Sequence, residues 1–161
     1  MDPIYEAFKA GDLQALRTAF GPEFPRGEIP EAYSPCLEYA IYFSPLPLIS
    51  ALIDLGADPN YESDDGHPSL LAALSADRAD KYELLALLIS AGADLGQRGI
   101  NDWTPLHYAA SQDDARAIEL LVSRGADPGA RTRIDDSATP LEEAEILGKT
   151  KAVEALKKAL S

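Results

Sequence analysis

The sequence repeats itself with a period of about 33 residues, and this period constrains the fold more than any other feature. Three nearly identical turns mark the repeat: Gly56-Ala57-Asp58-Pro59, Gly92-Ala93-Asp94-Leu95 and Gly125-Ala126-Asp127-Pro128. Their glycines lie 36 and 33 residues apart. Such a period predicts similar units stacked side by side, with each unit contacting its neighbours.

An apolar stretch precedes each of these turns. Its members lie 7, 4 and 3 residues before the glycine: Ile49/Leu52/Ile53, Leu85/Leu88/Ile89 and Ile118/Leu121/Val122. This spacing places three apolar side chains on one face of a helix. Glycine readily adopts the left-handed conformation that ends a helix. The pattern therefore predicts a helix with one buried face in each unit.

A second marker lies upstream of each stretch and predicts another helix. Thr104-Pro105-Leu106-His107-Tyr108-Ala109 recurs in altered form at residues 139–144, 67–72 and 34–40, and an uncapped copy ends at Ala7. Threonine or serine can cap a helix start, and proline is tolerated in the first turn. The recurring alanine allows two helices to approach closely.

A unit that combines Thr-Pro-Leu-His-x-Ala, a second helix and Gly-Ala-Asp resembles the ankyrin repeat. The resemblance covers nearly the whole chain. It implies an all-α solenoid of stacked helix-turn-helix units, each followed by a β-hairpin finger. We expect a single domain over residues 1–161, with about five units at 1–33, 34–66, 67–103, 104–138 and 139–161.

The departures from this pattern are local. The third unit has extra residues around 76–81, the segment 21–33 replaces the first hairpin, and the last connection is lengthened near 133–136. The first unit lacks Gly-Ala-Asp, and Lys157 takes the position held by Ile53, Ile89 and Val122. Terminal repeats need polar outer faces. We therefore expect a complete array whose two outer units are degenerate caps.

The charge is strongly acidic, with 27 acidic and 14 basic residues and a net charge of −13. Nucleic acid is repelled by such a chain, and a basic protein is favoured as partner. The alternative is that the charge only maintains solubility. No stretch approaches the roughly 18 apolar residues of a membrane span. Residues 1–6 carry no basic region and no apolar run, so we do not expect a secretory signal peptide. With Cys36 as the only cysteine, we expect a cytoplasmic monomer with Cys36 in its core.

No pattern in the sequence indicates catalysis, a cofactor or a metal. The two histidines, His67 and His107, occupy different positions of neighbouring units, and the resemblance implies that His107 braces its helix start. Asp64-Asp65-Gly66 lacks the alternating acids of a calcium loop and is typical of a finger tip. We therefore do not expect an enzyme.

The resemblance implies that a partner lies on the concave side, against the first helices and the fingers. The candidate contacts in this groove are Tyr39, Tyr42, Asp64, Asp65, Leu71, Ile100, Asp102, Trp103, Tyr108 and Glu143. Aromatic anchors with a polar rim are typical of binding hot spots. The alternative is that Trp103 and some tyrosines pack between fingers for stability.

The resulting hypothesis is a non-catalytic protein-binding module for a basic partner, acting as an inhibitor or an immunity (antidote) protein. The alternative is a structural scaffold or chaperone-like adaptor that holds several partners weakly.

Overall fold

The computed structural model describes residues 1–27, 29–134 and 136–161. These residues form ten α-helices: α1 (Pro3–Ala10), α2 (Leu13–Phe20), α3 (Cys36–Phe43), α4 (Leu46–Asp54), α5 (Ser69–Ser75), α6 (Lys81–Ser90), α7 (Pro105–Ser111), α8 (Ala115–Ser123), α9 (Pro140–Ile146) and α10 (Thr150–Leu160). Short 3-10 turns lie at Glu31–Tyr33 and Ile100–Asp102. The expected all-α class is confirmed.

The fingers differ from the expectation, because the described residues contain no β-strand. We keep the name finger for the loops at 58–67, 94–103 and 127–138. The second finger is closed by a hydrogen bond from Gly99 N to Trp103 O of 3.0 Å, and the third by one from Thr132 N to Ala138 O of 3.0 Å. No strand ladder forms among the described residues of these loops, so the expected β-hairpins are not found there.

Two helix starts use the side-chain caps expected from the sequence. In α9, Glu142 N donates to Thr139 Oγ1 at 3.2 Å, and Thr139 N donates to Glu142 Oε2 at 2.8 Å. The start of α7 has the same reciprocal arrangement, with His107 in place of the glutamate. Reciprocal caps of this kind satisfy backbone donors that the helix itself leaves without partners.

The helices form five consecutive pairs, and the first helices of successive pairs pack against one another from α1 through α9. The apolar stripes lie in the core: Ile49, Leu52, Leu85, Leu88, Ile118 and Leu121 are all fully buried. The third position of each stripe is only partly buried. The amphipathic pattern therefore identified the packed faces of α4, α6 and α8 correctly.

Side chains with a fixed place in the repeat join neighbouring pairs. His107 is fully buried, with Nδ1 at 2.8 Å from Thr104 Oγ1 and Nε2 at 2.9 Å from the carbonyl oxygen of Ala138, which ends the third finger just before α9. Burial lowers the pKa of His107. The structural role expected for this histidine is confirmed.

The extra residues of the third unit reach back to the preceding pair. Arg78 Nη1 donates to Ile41 O and Ser44 O, each at 2.8 Å, at the end of α3. The guanidinium also binds both carboxylate oxygens of Asp80. Because the last carbonyls of a helix have no partner within it, the insertion supplies the donors that α3 lacks.

The segment that replaces the first hairpin closes the core at the N-terminal end. Phe24 is 1% exposed and contacts Phe8 and Phe20, with ring centroids 6.3 Å and 5.3 Å away. The Phe24 ring therefore covers the first helix pair on the side where other units carry a finger.

Candidate functional site

The face that could receive a partner is formed by the first helices of the pairs and the fingers that precede them. We call it the finger face. It contains a cleft of about 650 Å³, lined by finger residues Asn101, Trp103, Thr132, Ile134, Asp136 and Ala138 and by α9 residues Glu143 and Ile146. We call it the C-terminal cleft. It brings together the predicted residues Trp103 and Glu143.

Two large apolar side chains of this cleft are open to solvent. Ile146 is 66% exposed and Ile134 is 48% exposed. A single exposed isoleucine is ordinary on a protein surface, but here two converge beside a tryptophan. Ile134 was not among the predicted contacts. Its signal in the sequence is an isoleucine inside an otherwise polar, lengthened finger.

The centre of the finger face carries a chain of aromatic contacts. The Trp103 and Tyr108 rings lie edge to face at 6.2 Å, and the His67 ring lies edge to face with Tyr108 at 6.2 Å. Trp103 and Tyr108 are half-buried. Each ring therefore supports its neighbour and still presents surface to solvent, so packing and contact are compatible roles here.

An acidic group lies beside these rings. Ser63 Oγ hydrogen-bonds to a carboxylate oxygen of both Glu38 and Asp65. Asp65 also accepts a 3.0 Å hydrogen bond from His67 N. Burial, together with the negative charge of Asp65, raises the pKa of Glu38 to about 7. Glu38 was not among the predicted contacts.

Tyr42 and Tyr39 lie on α3 in different surroundings. The Tyr42 hydroxyl lies 3.1 Å from Ser75 Oγ, and burial raises its pKa. Tyr39 packs among rings, with centroids 4.8 Å from Phe8 and 4.8 Å from Phe43. Tyr39 therefore contributes to the N-terminal aromatic packing, whereas Tyr42 stands closer to the acidic group.

Leu71 was predicted to face the groove, and this prediction is wrong. Its side chain is fully buried because the second finger lies directly over it. A Cβ added to Gly99 would meet Leu71 Cδ2 at 2.6 Å and the carbonyl oxygen of Gly66 at 2.2 Å. Only glycine permits this approach, and the finger that it allows covers the leucine.

Asp102 was predicted as a rim contact, but its carboxylate holds two fingers together. It accepts hydrogen bonds from Arg98 Nη1 at 3.0 Å, from Arg133 Nη2 at 2.6 Å and from Arg133 N at 2.6 Å. Arg133 is the largest cause of a pKa of about 2 at Asp102. With its side chain only 10% exposed, Asp102 joins the second finger to the third rather than offering a free charge.

The remaining predicted contacts are exposed. Asp64 and Asp65 lie at the tip of the first finger, and Ile100 in the second finger is 40% exposed. Asp135 lies outside the described residues. No group of three or more histidine, cysteine or acidic side chains placed to hold a metal occurs in residues 1–27, 29–134 and 136–161. Within the same residues, no helix is long and apolar enough to cross a membrane.

Comparison with known proteins agrees with the repeat. The family described as ankyrin repeats in three copies matches residues 37–132 and 70–160. Over 129 residues the chain is 32% identical to the ankyrin repeat and KH domain-containing protein mask-1 of Caenorhabditis elegans. The aligned region covers 78% of this chain and 5% of that protein.

Two shorter relatives are named as regulators. Protein phosphatase 1 regulatory subunit 27 of Mus musculus is 43% identical over 75 residues, covering 46% of this chain and 47% of the relative. RelA-associated inhibitor of Mus musculus is 34% identical over 88 residues, covering 55% of this chain and 10% of the relative. The chain thus spans less than half the length of these relatives. With the family match extending from residue 37 to residue 160, the chain belongs to the ankyrin-repeat family.

Proposed function

We propose that this protein is a non-catalytic module that grips a basic segment of another protein on its finger face. Ankyrin repeats are protein-interaction modules and generally lack catalytic activity. The observation that carries the proposal is the C-terminal cleft, where exposed Ile134 and Ile146 lie beside Trp103. Large apolar groups that converge in a concave site with polar edges are typical of binding surfaces.

The charge of the protein supports a basic partner. The net charge is −13, and the finger face contributes Asp64, Asp136 and Glu143. A surface of one sign raises the association rate of an oppositely charged partner and disfavours like-charged ones. Tyr42 and Tyr108 add ring faces on which a lysine or arginine can stack.

We further propose that binding regulates the partner. Two of the relatives carry the words regulatory subunit and inhibitor in their names, which supports an inhibitory role for this chain, including that of an immunity or antidote protein. The monomeric state and the cytoplasmic location expected from the sequence belong to the same proposal.

Affinity capture followed by mass spectrometry tests the proposal. We expect one stoichiometric, basic protein, with binding that weakens as salt is added because exposed charges are screened. Glu62→Lys combined with Asp64→Lys, both exposed in the first finger, should slow association. The matched control is Glu119→Lys with Glu154→Lys, which reverses two exposed charges on α8 and α10.

Four outcomes decide the proposal. A single basic partner that associates more slowly with the finger variant and at the wild-type rate with the control supports it. Many substoichiometric partners would favour the scaffold or adaptor hypothesis. An acidic partner, or equal losses in both charge-reversed variants, would contradict a basic segment bound on the finger face.

A further inference from the structure

We propose that the C-terminal cleft holds one large apolar side chain of the bound segment, with a lysine or arginine of the same segment beside it. This rests on the proposed function and names the chemistry that the cleft recognises. The volume of about 650 Å³ lies within the range of about 300–1,000 Å³ that is usual for sites enclosing small molecules. It can therefore accommodate a side chain together with part of its backbone.

The apolar part of the cleft selects the anchor. Trp103, Ile134 and Ile146 come from two fingers and one helix, and all three line the same cavity. The Trp103 ring is held by Tyr108, edge to face at 6.2 Å, so the cleft has one pre-positioned wall. An aliphatic or aromatic side chain entering here would cover the two exposed isoleucines and remove apolar surface from water.

The polar part of the cleft selects a cation next to the anchor. Asp136 and Glu143 line it, and in the part of the chain that the structure describes neither has a salt-bridge partner. The arginines nearby are already engaged: Arg131 binds Glu142 at 3.0 Å, and Arg133 binds Asp102 at 2.6 Å. Because Arg131 and Arg133 pair with other carboxylates, a positive charge on the partner can pair with Asp136 and Glu143.

The cleft contains its own reporter, because Trp103 is the only tryptophan in the chain. A side chain that fills the cleft changes the polarity around the indole and so its fluorescence. The intact protein can therefore be titrated with a peptide without a label, and the signal comes from this cleft.

The test is selection of short random peptides on the intact protein, followed by fluorescence titration of the enriched sequences. We expect enriched peptides to share a leucine, isoleucine, methionine or phenylalanine next to lysine or arginine, and to shift Trp103 emission. Ile146→Ser should weaken their binding about tenfold or more. Glu143→Gln should weaken it less, and that loss should shrink in molar salt.

The matched control is Leu160→Ser, because Leu160 is 51% exposed on α10 and does not line the cleft. It should leave peptide affinity unchanged. Circular dichroism should show that all three variants fold, since the substituted positions are not fully buried.

Each outcome has a separate meaning for the two proposals. Enriched peptides without an apolar anchor, or peptides whose binding Ile146→Ser does not weaken, would overturn the cleft proposal and leave the proposed function standing. Failure to enrich any peptide would also overturn the cleft proposal. The proposed function fails on a different result, namely capture of no basic protein by the full chain.

Discussion

Replacing Asp102 with asparagine removes the negative charge that joins the second finger to the third. The carboxylate accepts hydrogen bonds from Arg98 and Arg133, and its pKa lies at about 2. A carboxyl held that far below its usual range corresponds to about 2 kcal/mol of preference for the ionised form. Because the Arg133 side chain is 71% exposed, solvent screening reduces the expected loss of stability to about 1 kcal/mol.

Thermal unfolding followed by circular dichroism measures this loss. For a chain of this length, about 1 kcal/mol corresponds to a fall in melting temperature of about 2–4 °C. Asp64→Asn removes the same charge from an exposed position in the first finger and should change the melting temperature much less. Molar salt should reduce the difference between wild type and Asp102→Asn.

The pH dependence has a definite sign. Because the folded pKa of Asp102 is depressed, its contribution to stability is present above about pH 4 and is lost as the pH falls towards about 2. The two proteins should therefore converge in acid. An Asp102→Asn protein that melts with wild type at neutral pH, or that differs from it equally in acid, would refute the role assigned to this carboxylate.

Four further substitutions test the packing and the electrostatics. Leu85→Ala should lower the free energy of unfolding in urea by about 2–5 kcal/mol, because Leu85 is fully buried. Lys157→Ala should change it by no more than about 0.5 kcal/mol, because the Lys157 side chain is 62% exposed. Equal losses in the two variants would show that the register of α10 is wrong. Glu38→Gln should raise the melting temperature relative to wild type, and this difference should grow from about pH 4.5 to about pH 7. Over this range the folded wild-type protein retains a proton on Glu38 that the unfolded chain gives up. A difference in melting temperature that stays constant across this range would contradict the raised pKa of Glu38. Arg78→Ala should lower the free energy of unfolding by about 1–3 kcal/mol, because the carbonyls at the end of α3 lose their donor. An unchanged urea unfolding curve would show that water replaces the guanidinium.

The helices could be predicted because they follow from local rules. The apolar spacing before Gly56, Gly92 and Gly125 identified the packed faces of α4, α6 and α8, and the Thr-Pro starts identified α7 and α9. Both signals lie within a few residues of the structure that they determine. The internal helices could therefore be predicted from this sequence alone.

The site was predicted less well because it depends on how the fingers lie over the helices. The helix register placed Leu71 on the groove, but Gly99 brings the second finger over it. The finger position of Asp102 indicated an exposed charge, whereas an arginine 31 residues away covers it. Ile134 lies in a lengthened loop for which the repeat offers no equivalent. These contacts between distant segments leave no periodic signal.

The hydrogen bonds between pairs have a mechanical consequence. Asn60 donates to Gly92 O at 2.9 Å and accepts from Asp94 N at 2.7 Å, and His107 binds the carbonyl oxygen of Ala138 at the entry to α9. In the part of the chain that the structure describes, the substantial contacts between helices lie within one pair or between adjacent pairs. A pulling force applied to the two ends therefore loads these links in series, so the array should stretch elastically and then lose its units one at a time, starting at the weakest junction.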